Sequence, residues 1–192
     1  MAAISVSKKS ISELTKSGIK DSKLLSPKKR RSLYGHIINI AESICICRIG
    51  IEDIDFHVFK NNLNLLEAEA MAITIGNMKS DKTYVDSCDV NPSRYQRTIR
   101  GFLGQNDTRI VSMHHADRLN VVVSGASIIA KVIRDSEISK IRVQYGDIGS
   151  GYPSDKKTIR FVKDWYSQKN EIPPFARKSW KPAQLIVSGT NP

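Results

Sequence analysis

Short apolar segments with strand character alternate with longer segments of helical periodicity along this chain, and that alternation limits its fold. The strand segments are residues 43–50 (SICICRIG), 82–86 (KTYVD) and 108–114 (TRIVSMH). The helical segments are residues 62–78, 92–103, 124–138 and 154–169. A further helix begins at Ser26 and Pro27, because Ser is a preferred N-cap and Pro suits the first helical position. The pattern predicts an α/β layered fold.

The length of the chain predicts the number of its domains. A chain of 192 residues can bury a core as one domain, so we expect residues 1–192 to form a single domain. The first long helix would turn Leu33, Ile37 and Ile40 toward that core. Ser154 is the expected N-cap of the last long helix. Residues 172–192, which are rich in Pro and basic residues, are predicted to form a less regular tail.

The charge of the chain indicates its kind of partner. The formal net charge is +11 and the pI is about 9.7, which favours a polyanion such as nucleic acid, while a basic surface kept for solubility is the alternative. The sequence contains no apolar run long enough to predict a membrane partner. Cys45, Cys47 and Cys88 form no CxxC motif or even disulfide set, and no cleavable leader is recognised, so we expect a reducing, cytoplasmic setting.

Two carboxylates separate from the other charged residues. Asp86 ends an apolar strand, and α/β folds place active sites at the carboxyl ends of strands, although a turn or cap role is the alternative. Successive residues of an α-helix are rotated by about 100° around its axis. Asp135 therefore shares one polar flank of its helix with Ser124, Ser127 and Lys131. That flank borders the apolar face. Helical geometry alone leaves Asp135 equally open to being a solvated charge or a functional carboxylate.

Collinear motifs along most of the chain resemble one family. These motifs are GIKDSK (18–23), NLLEAEAM (64–71), YVDSCDV (84–90), HHAD (114–117), SGASIIAKVIRD (124–135), GSGYPSD (149–155) and RKSW (177–180). In order and spacing they resemble ribonuclease HII, and the forms GSGYPSD and RKSW are most similar to its archaeal branch. The resemblance implies a ribonuclease H-like α/β fold: a mixed β-sheet flanked by helices, with a helical C-terminal region.

The resemblance also implies an activity. The family cleaves the RNA strand of RNA–DNA hybrids and cuts at ribonucleotides embedded in DNA, using two Mg²⁺ or Mn²⁺ ions. Such hard cations require oxygen ligands, and two ions can activate water and stabilise the leaving oxygen. At matching positions, Asp86 and Asp135 would be metal-binding catalytic carboxylates. We expect the protein to act on hybrids and on DNA that contains ribonucleotides, as a monomer.

The same resemblance implies the residues that contact the substrate. Tyr152 matches a tyrosine that packs on the sugar at the DNA–RNA junction, although a purely structural turn aromatic is the alternative. Lys23 matches a lysine near the substrate phosphates. Ser127 and Lys131 share the flank of Asp135 and are expected to contact the phosphate backbone. The adjacent histidines at 114 and 115 are expected to be hydrogen-bonded residues at a strand end rather than metal ligands.

One departure from the family is large. Family members begin with a strand that carries Asp-Glu-Ala-Gly-Arg-Gly, and this motif occurs nowhere in the sequence. Residues 1–6 align with the family's second strand, so we expect a true start upstream of Met1 and an inactive chain as given. Glu67, Glu69 and Asp89 are alternative ligands that nothing in the sequence positions. A non-catalytic nucleic-acid-binding remnant of the same fold is the alternative function, and an unrelated α/β enzyme is a more distant one.

Overall fold

The computed structural model describes residues 1–19 and 25–190, and these residues form four strands and nine helices. The strands are β1 (Ala2–Ser5), β2 (Ser43–Ile46), β3 (Lys82–Asp86) and β4 (Arg109–Met113). The helices are α1 (Ser10–Lys16), α2 (Pro27–Ile40), α3 (Ile51–Phe59), α4 (Leu63–Gly76), α5 (Pro92–Leu103), α6 (Ala116–Leu119), α7 (Val121–Tyr145), α8 (Lys156–Lys169) and α9 (Lys181–Val187). The predicted α/β fold is therefore confirmed.

The chain divides into two compact units. Unit 1 comprises Met1–Arg48 and Asn64–Ile133, and unit 2 comprises Ile49–Leu63 and the residues from Arg134 onward. The boundaries fall beside α3 and within α7. The expectation of a single domain stays a prediction. No helix within residues 1–19 and 25–190 combines the length and apolarity needed to cross a membrane.

The strands of unit 1 form two short ladders. β1 pairs antiparallel with β2, and Ala2 lies opposite Ile46. β3 pairs in parallel with β4, so that Asp86 lies opposite Met113 at the carboxyl ends of both strands. Across the described part of the chain, each sheet has only two strands, and no ladder joins β1 to β3.

The first core of unit 1 forms where α2 and α7 pack on β1. The Ser26 side chain accepts a hydrogen bond from the backbone N–H of Lys29, and α2 begins at Pro27 as predicted. Gly125 lets α7 approach closely, since a Cβ atom there would lie 2.9 Å from Ile4 Cδ1. The buried residues of this core are Ile4, Leu14, Ile19, Leu33, Ile37, Ala126, Ile128 and Ile129.

The second core of unit 1 fixes β3. Val85 of β3 and Ile110 of β4 pack against buried residues of α4 and α5, including Ala68 and Ile99. The α5 helix begins with an Asn91 side chain that accepts from the N–H of Arg94. Apolar packing below β3 therefore holds the strand while its last residue, Asp86, is exposed.

Unit 2 contains the second half of α7 together with α3, α8 and α9. Asp155, not the expected Ser154, is the N-cap of α8, because its carboxylate accepts the N–H of Lys157. The C-terminal residues contain the helix α9, and they are tied to α3 by Asp55, which is 8% exposed. Its two carboxylate oxygens accept the N–H groups of residues 178 and 179, at 2.8 and 3.0 Å.

Candidate active site

Asp86 lies at the end of β3, where sequence and topology together expose a carboxylate. Its Oδ1 atom accepts the backbone N–H of Ala116 at 2.9 Å. The parallel ladder continues one step beyond it, since the N–H of Ser87 donates to the carbonyl of Met113 at 2.9 Å. One carboxylate oxygen of Asp86 is therefore bound to the start of α6. The residue lies at the edge of the sheet where both parallel strands end.

The structure places a second carboxylate, Asp117, beside this edge. Asp117 follows Ala116 directly, lies in the first turn of α6 and is 4% exposed. This residue belongs to the HHAD motif, but the sequence alone predicted no role for it. A signal was present in the sequence, because Asp86 ends one strand and Asp117 follows the next, and the carboxyl ends of parallel neighbours meet at one edge.

The donor atoms at this edge suit a divalent cation, but their number is small. Carboxylate oxygens are the ligands that Mg²⁺ and Mn²⁺ prefer. In residues 1–19 and 25–190, however, no three His, Cys, Asp or Glu side chains form a group that could hold a metal ion. The described residues by themselves therefore form no complete metal centre.

A hydrogen-bonded cluster forms around Cys88, in the turn that follows Asp86. The Cys88 thiol is hydrogen-bonded to the Glu67 carboxylate of α4 and to the Tyr95 hydroxyl of α5. Desolvation and the Glu67 hydrogen bond raise the pKa of Cys88 to about 12. Burial, followed by the contact with Cys88, raises the pKa of Tyr95 well above its ordinary value. The cluster connects α4 and α5 to the turn after β3, and it includes Glu67, one of the alternative metal ligands.

The other alternative ligands have different environments. Asp89 is buried and accepts two hydrogen bonds from the Arg94 guanidinium, at 2.9 and 2.6 Å. It also accepts the N–H of Asn91 at 2.7 Å. The guanidinium hydrogen bond holds the pKa of Asp89 below its ordinary value. Asp89 thus fastens the start of α5, whereas Glu69 is an exposed residue of α4.

The two histidines have different environments at the end of β4. The Nε2 atom of His114 lies 3.3 Å from the carbonyl oxygen of Val90. His115 has a φ of 56° and immediately precedes α6, so its left-handed backbone turns the chain from β4 into that helix. This geometry positions Ala116 to donate to Asp86.

The continuous helix α7 carries three predicted site residues. Ser127 and Lys131 are half-buried and belong to unit 1, whereas Asp135 is half-buried and belongs to unit 2. Asp135 Oδ1 lies 3.4 Å from Nη1 of Arg134. The roles of all three remain predictions, and the prediction for Lys23 lies outside the described residues.

Tyr152 lies in the loop between α7 and α8, within unit 2. The residue is 42% exposed, and the Arg134 guanidinium carbon lies 3.7 Å from the centre of its ring. The ring therefore has a cation on one side and is partly open to solvent. This geometry is compatible with the expected sugar contact as well as with a structural turn aromatic.

Comparison with known proteins identifies the family. The family model described as ribonuclease HII matches residues 1–183. A ribonuclease HII from Cenarchaeum symbiosum is 43% identical over 189 residues, which are 98% of this chain and 90% of the relative. The crystal structure of ribonuclease H2 from Pyrococcus horikoshii has a TM-score of 0.87 at 36% identity, covering 96% of this chain and 87% of that one.

A second solved structure supports the same assignment. It is the complex of PCNA with RNase HII from Archaeoglobus fulgidus, with a TM-score of 0.80 and 33% identity. The match covers 92% of this chain and 82% of that one. The chain therefore belongs to the ribonuclease HII family of metal-dependent endoribonucleases, which act on RNA–DNA hybrids.

Proposed function

We propose that the protein cleaves the RNA strand of RNA–DNA hybrids and also cuts at ribonucleotides embedded in DNA. The observation that carries this proposal is the exposed Asp86 at the carboxyl end of a parallel strand, in a chain of this family. Hydrolysis of a phosphodiester needs an activated water and a stabilised leaving oxygen, which two Mg²⁺ or Mn²⁺ ions would supply when bound.

We propose Asp86 and Asp135 as metal-binding catalytic carboxylates, as the family motifs imply, and add Asp117 as a third candidate. Support for Asp117 comes from its burial beside the Asp86–Ala116 hydrogen bond. The hydrogen bond orients Asp86 through one oxygen. No complete ligand set exists in the described part of the chain, and further oxygen donors are needed for two ions.

The remaining proposed residues contact the substrate. Tyr152 would pack on the sugar at the DNA–RNA junction, and its partly exposed ring supports this role. Ser127, Lys131 and Lys23 would contact phosphates. The formal net charge of +11 favours approach of a polyanion. We propose that the protein acts as a monomer in the cytoplasm; its three unpaired cysteines agree with a reducing compartment.

We also propose that the 192-residue chain as given is inactive, because the Asp-Glu-Ala-Gly-Arg-Gly motif is absent from it. The Asp and Glu of that motif are then lacking as metal ligands. The test compares the 192-residue chain with a form in which a strand carrying Asp-Glu-Ala-Gly-Arg-Gly is fused before Met1, using thermal unfolding and Mn²⁺-dependent hybrid cleavage. Equal cleavage by both forms would refute this part of the proposal. Hybrid binding without cleavage by either form would favour the non-catalytic remnant.

A mutational series in the active form tests the site. Asp86→Asn should lower turnover on a labelled hybrid by orders of magnitude and change hybrid affinity little, because only the metal-dependent step needs the carboxylate. Asp81→Asn is the matched control, since Asp81 is an exposed carboxylate just before the other end of β3.

Asp117→Asn and Asp135→Asn then rank the two further candidates. Each is expected to lower turnover by orders of magnitude if its carboxylate binds metal. Cleavage by Asp86→Asn at the rate of the Asp81→Asn control would contradict the assignment of the site.

A further inference from the structure

The loop that carries Tyr152 is built against one face of α7. Arg134, Ile138 and Arg142 are spaced four residues apart, so they lie above one another on the helix. Arg142 Nε donates to the carbonyl of Gly149 at 3.0 Å. A Cβ atom on Gly151 would lie 2.6 Å from Ile138 Cδ1 and 3.0 Å from Arg134 Nη2. All three side chains of this face therefore contact the loop.

The backbone of the loop is also fixed from the side of α8. The N–H of Gly151 donates to Thr158 Oγ1 at 3.0 Å, and that hydroxyl donates to the carbonyl of Ile148 at 3.0 Å. The N–H of Asp155 donates to the carbonyl of Tyr152 at 3.1 Å. These contacts fix the Cα position of Tyr152, but they leave the direction of its ring to be set by side-chain contacts.

Arg134 supplies the contact that sets this direction. Its guanidinium carbon lies 3.7 Å from the centre of the Tyr152 ring, within the range of a cation–π interaction. The Arg134 side chain is 30% exposed, so solvent reaches the pair. Nη1 of the same guanidinium lies 3.4 Å from Asp135 Oδ1. One planar group thus touches both the tyrosine and the adjacent carboxylate.

We propose that Arg134 is a positioning residue that holds the Tyr152 ring in the orientation in which it recognises a DNA–RNA junction. This inference rests on the proposed function of Tyr152. The stacking partner must be planar, and for that reason lysine cannot replace arginine. Arg134 itself need not touch the substrate, since it acts by restricting the ring.

The experiment measures how the protein distinguishes a DNA duplex with one embedded ribonucleotide from an all-DNA duplex. Dissociation constants are determined by fluorescence anisotropy without added Mg²⁺ or Mn²⁺, so that cleavage does not contribute. Arg134→Lys is expected to lower the ratio of the two affinities roughly three- to tenfold, because the charge is kept and the planar contact is lost. Arg160→Lys, an exposed position of α8, is the control and should leave the ratio unchanged.

A double-mutant cycle identifies the residue through which Arg134 acts. Tyr152→Ala should lower the ratio at least as much as Arg134→Lys. The double variant should be no worse than Tyr152→Ala alone, since the arginine has no ring left to position. Thermal unfolding of each variant separates a loss of recognition from a loss of folded protein. Arg134→Met, which has no planar group, provides a second substitution if Arg134→Lys folds poorly.

The outcomes distinguish the inference from the function on which it rests. If Tyr152→Ala lowers the ratio and Arg134→Lys does not, the positioning role is wrong and the tyrosine role stands. Equal weakening of both duplexes by Arg134→Lys would show a general charge effect and would also overturn the inference. If Tyr152→Ala leaves the ratio unchanged, both the proposed role of Tyr152 and the positioning role fall together.

Discussion

Gly151→Ala is expected to destabilise the protein through two separable costs. Gly151 has a φ of 71°, in the left-handed region that costs a residue with a Cβ atom roughly 1–2 kcal/mol. The added Cβ atom would also lie 2.6 Å from Ile138 Cδ1, and overpacking of this kind costs about 1–3 kcal/mol. The sum predicts a loss of about 2–5 kcal/mol in the free energy of unfolding.

Gly146→Ala isolates the first of these costs. Gly146 has a φ of 85°, and a Cβ atom there would meet nothing within 4 Å. This control should therefore lose only the roughly 1–2 kcal/mol of backbone strain. Urea denaturation followed by tryptophan fluorescence suits the comparison, because Trp165 and Trp180, the two tryptophans of the chain, both lie in unit 2.

A compensating substitution tests the contact directly. Ile138→Val removes the Cδ1 atom, at a cost of about 0.5–1.5 kcal/mol by itself. In the Gly151→Ala background the same change should be neutral or stabilising, because it opens the space that the new Cβ atom needs. Equal losses for Gly151→Ala and Gly146→Ala, with no coupling to Ile138→Val, would refute the close packing of the loop on α7.

Two further predictions concern carboxylates of unit 2. Asp55→Ala should lower the free energy of unfolding by about 1–3 kcal/mol, since it leaves the two N–H groups of residues 178 and 179 without their acceptor; urea denaturation that matches the wild type would contradict this. The pKa of Asp155 is lowered to about 2, first by the backbone N–H of Ser150. Its contribution to stability is therefore complete above the unfolded pKa of about 4 and is lost as the pH falls through about 2. The difference in unfolding free energy between wild type and Asp155→Asn should shrink between these pH values, and a constant difference would show that this carboxylate is not the cause.

Local signals in the sequence determined most of the helix and strand positions. Ser26 and Pro27 start α2 by chemistry contained within four residues, and KTYVD forms β3 as its composition predicts. The short helices α1, α3 and α6 were not predicted, because helices of this length are marginal alone and depend on tertiary packing. The N-cap of α8 is Asp155 and not the predicted Ser154. Both residue types can cap a helix, and the loop contacts of Asp155, including its hydrogen bond from the N–H of Ser150, decide between them.

The family and the position of Asp86 at a strand end also follow from the sequence, because motif order and strand pattern are properties of the chain itself. Which groups meet across long separations was decided only by the tertiary structure. Asp117 lies near the end of β3 because β4 pairs in parallel with β3. Ala116, which donates its N–H to Asp86, is 30 residues away from that acceptor in the sequence. The Arg134–Tyr152 stack depends on a loop that folds back onto α7. Residues distant in sequence leave no local periodicity that records their contact. The sequence therefore marks Asp86 and Asp117 only by their positions at or after strand ends, and it carries no signal for the Arg134–Tyr152 stack.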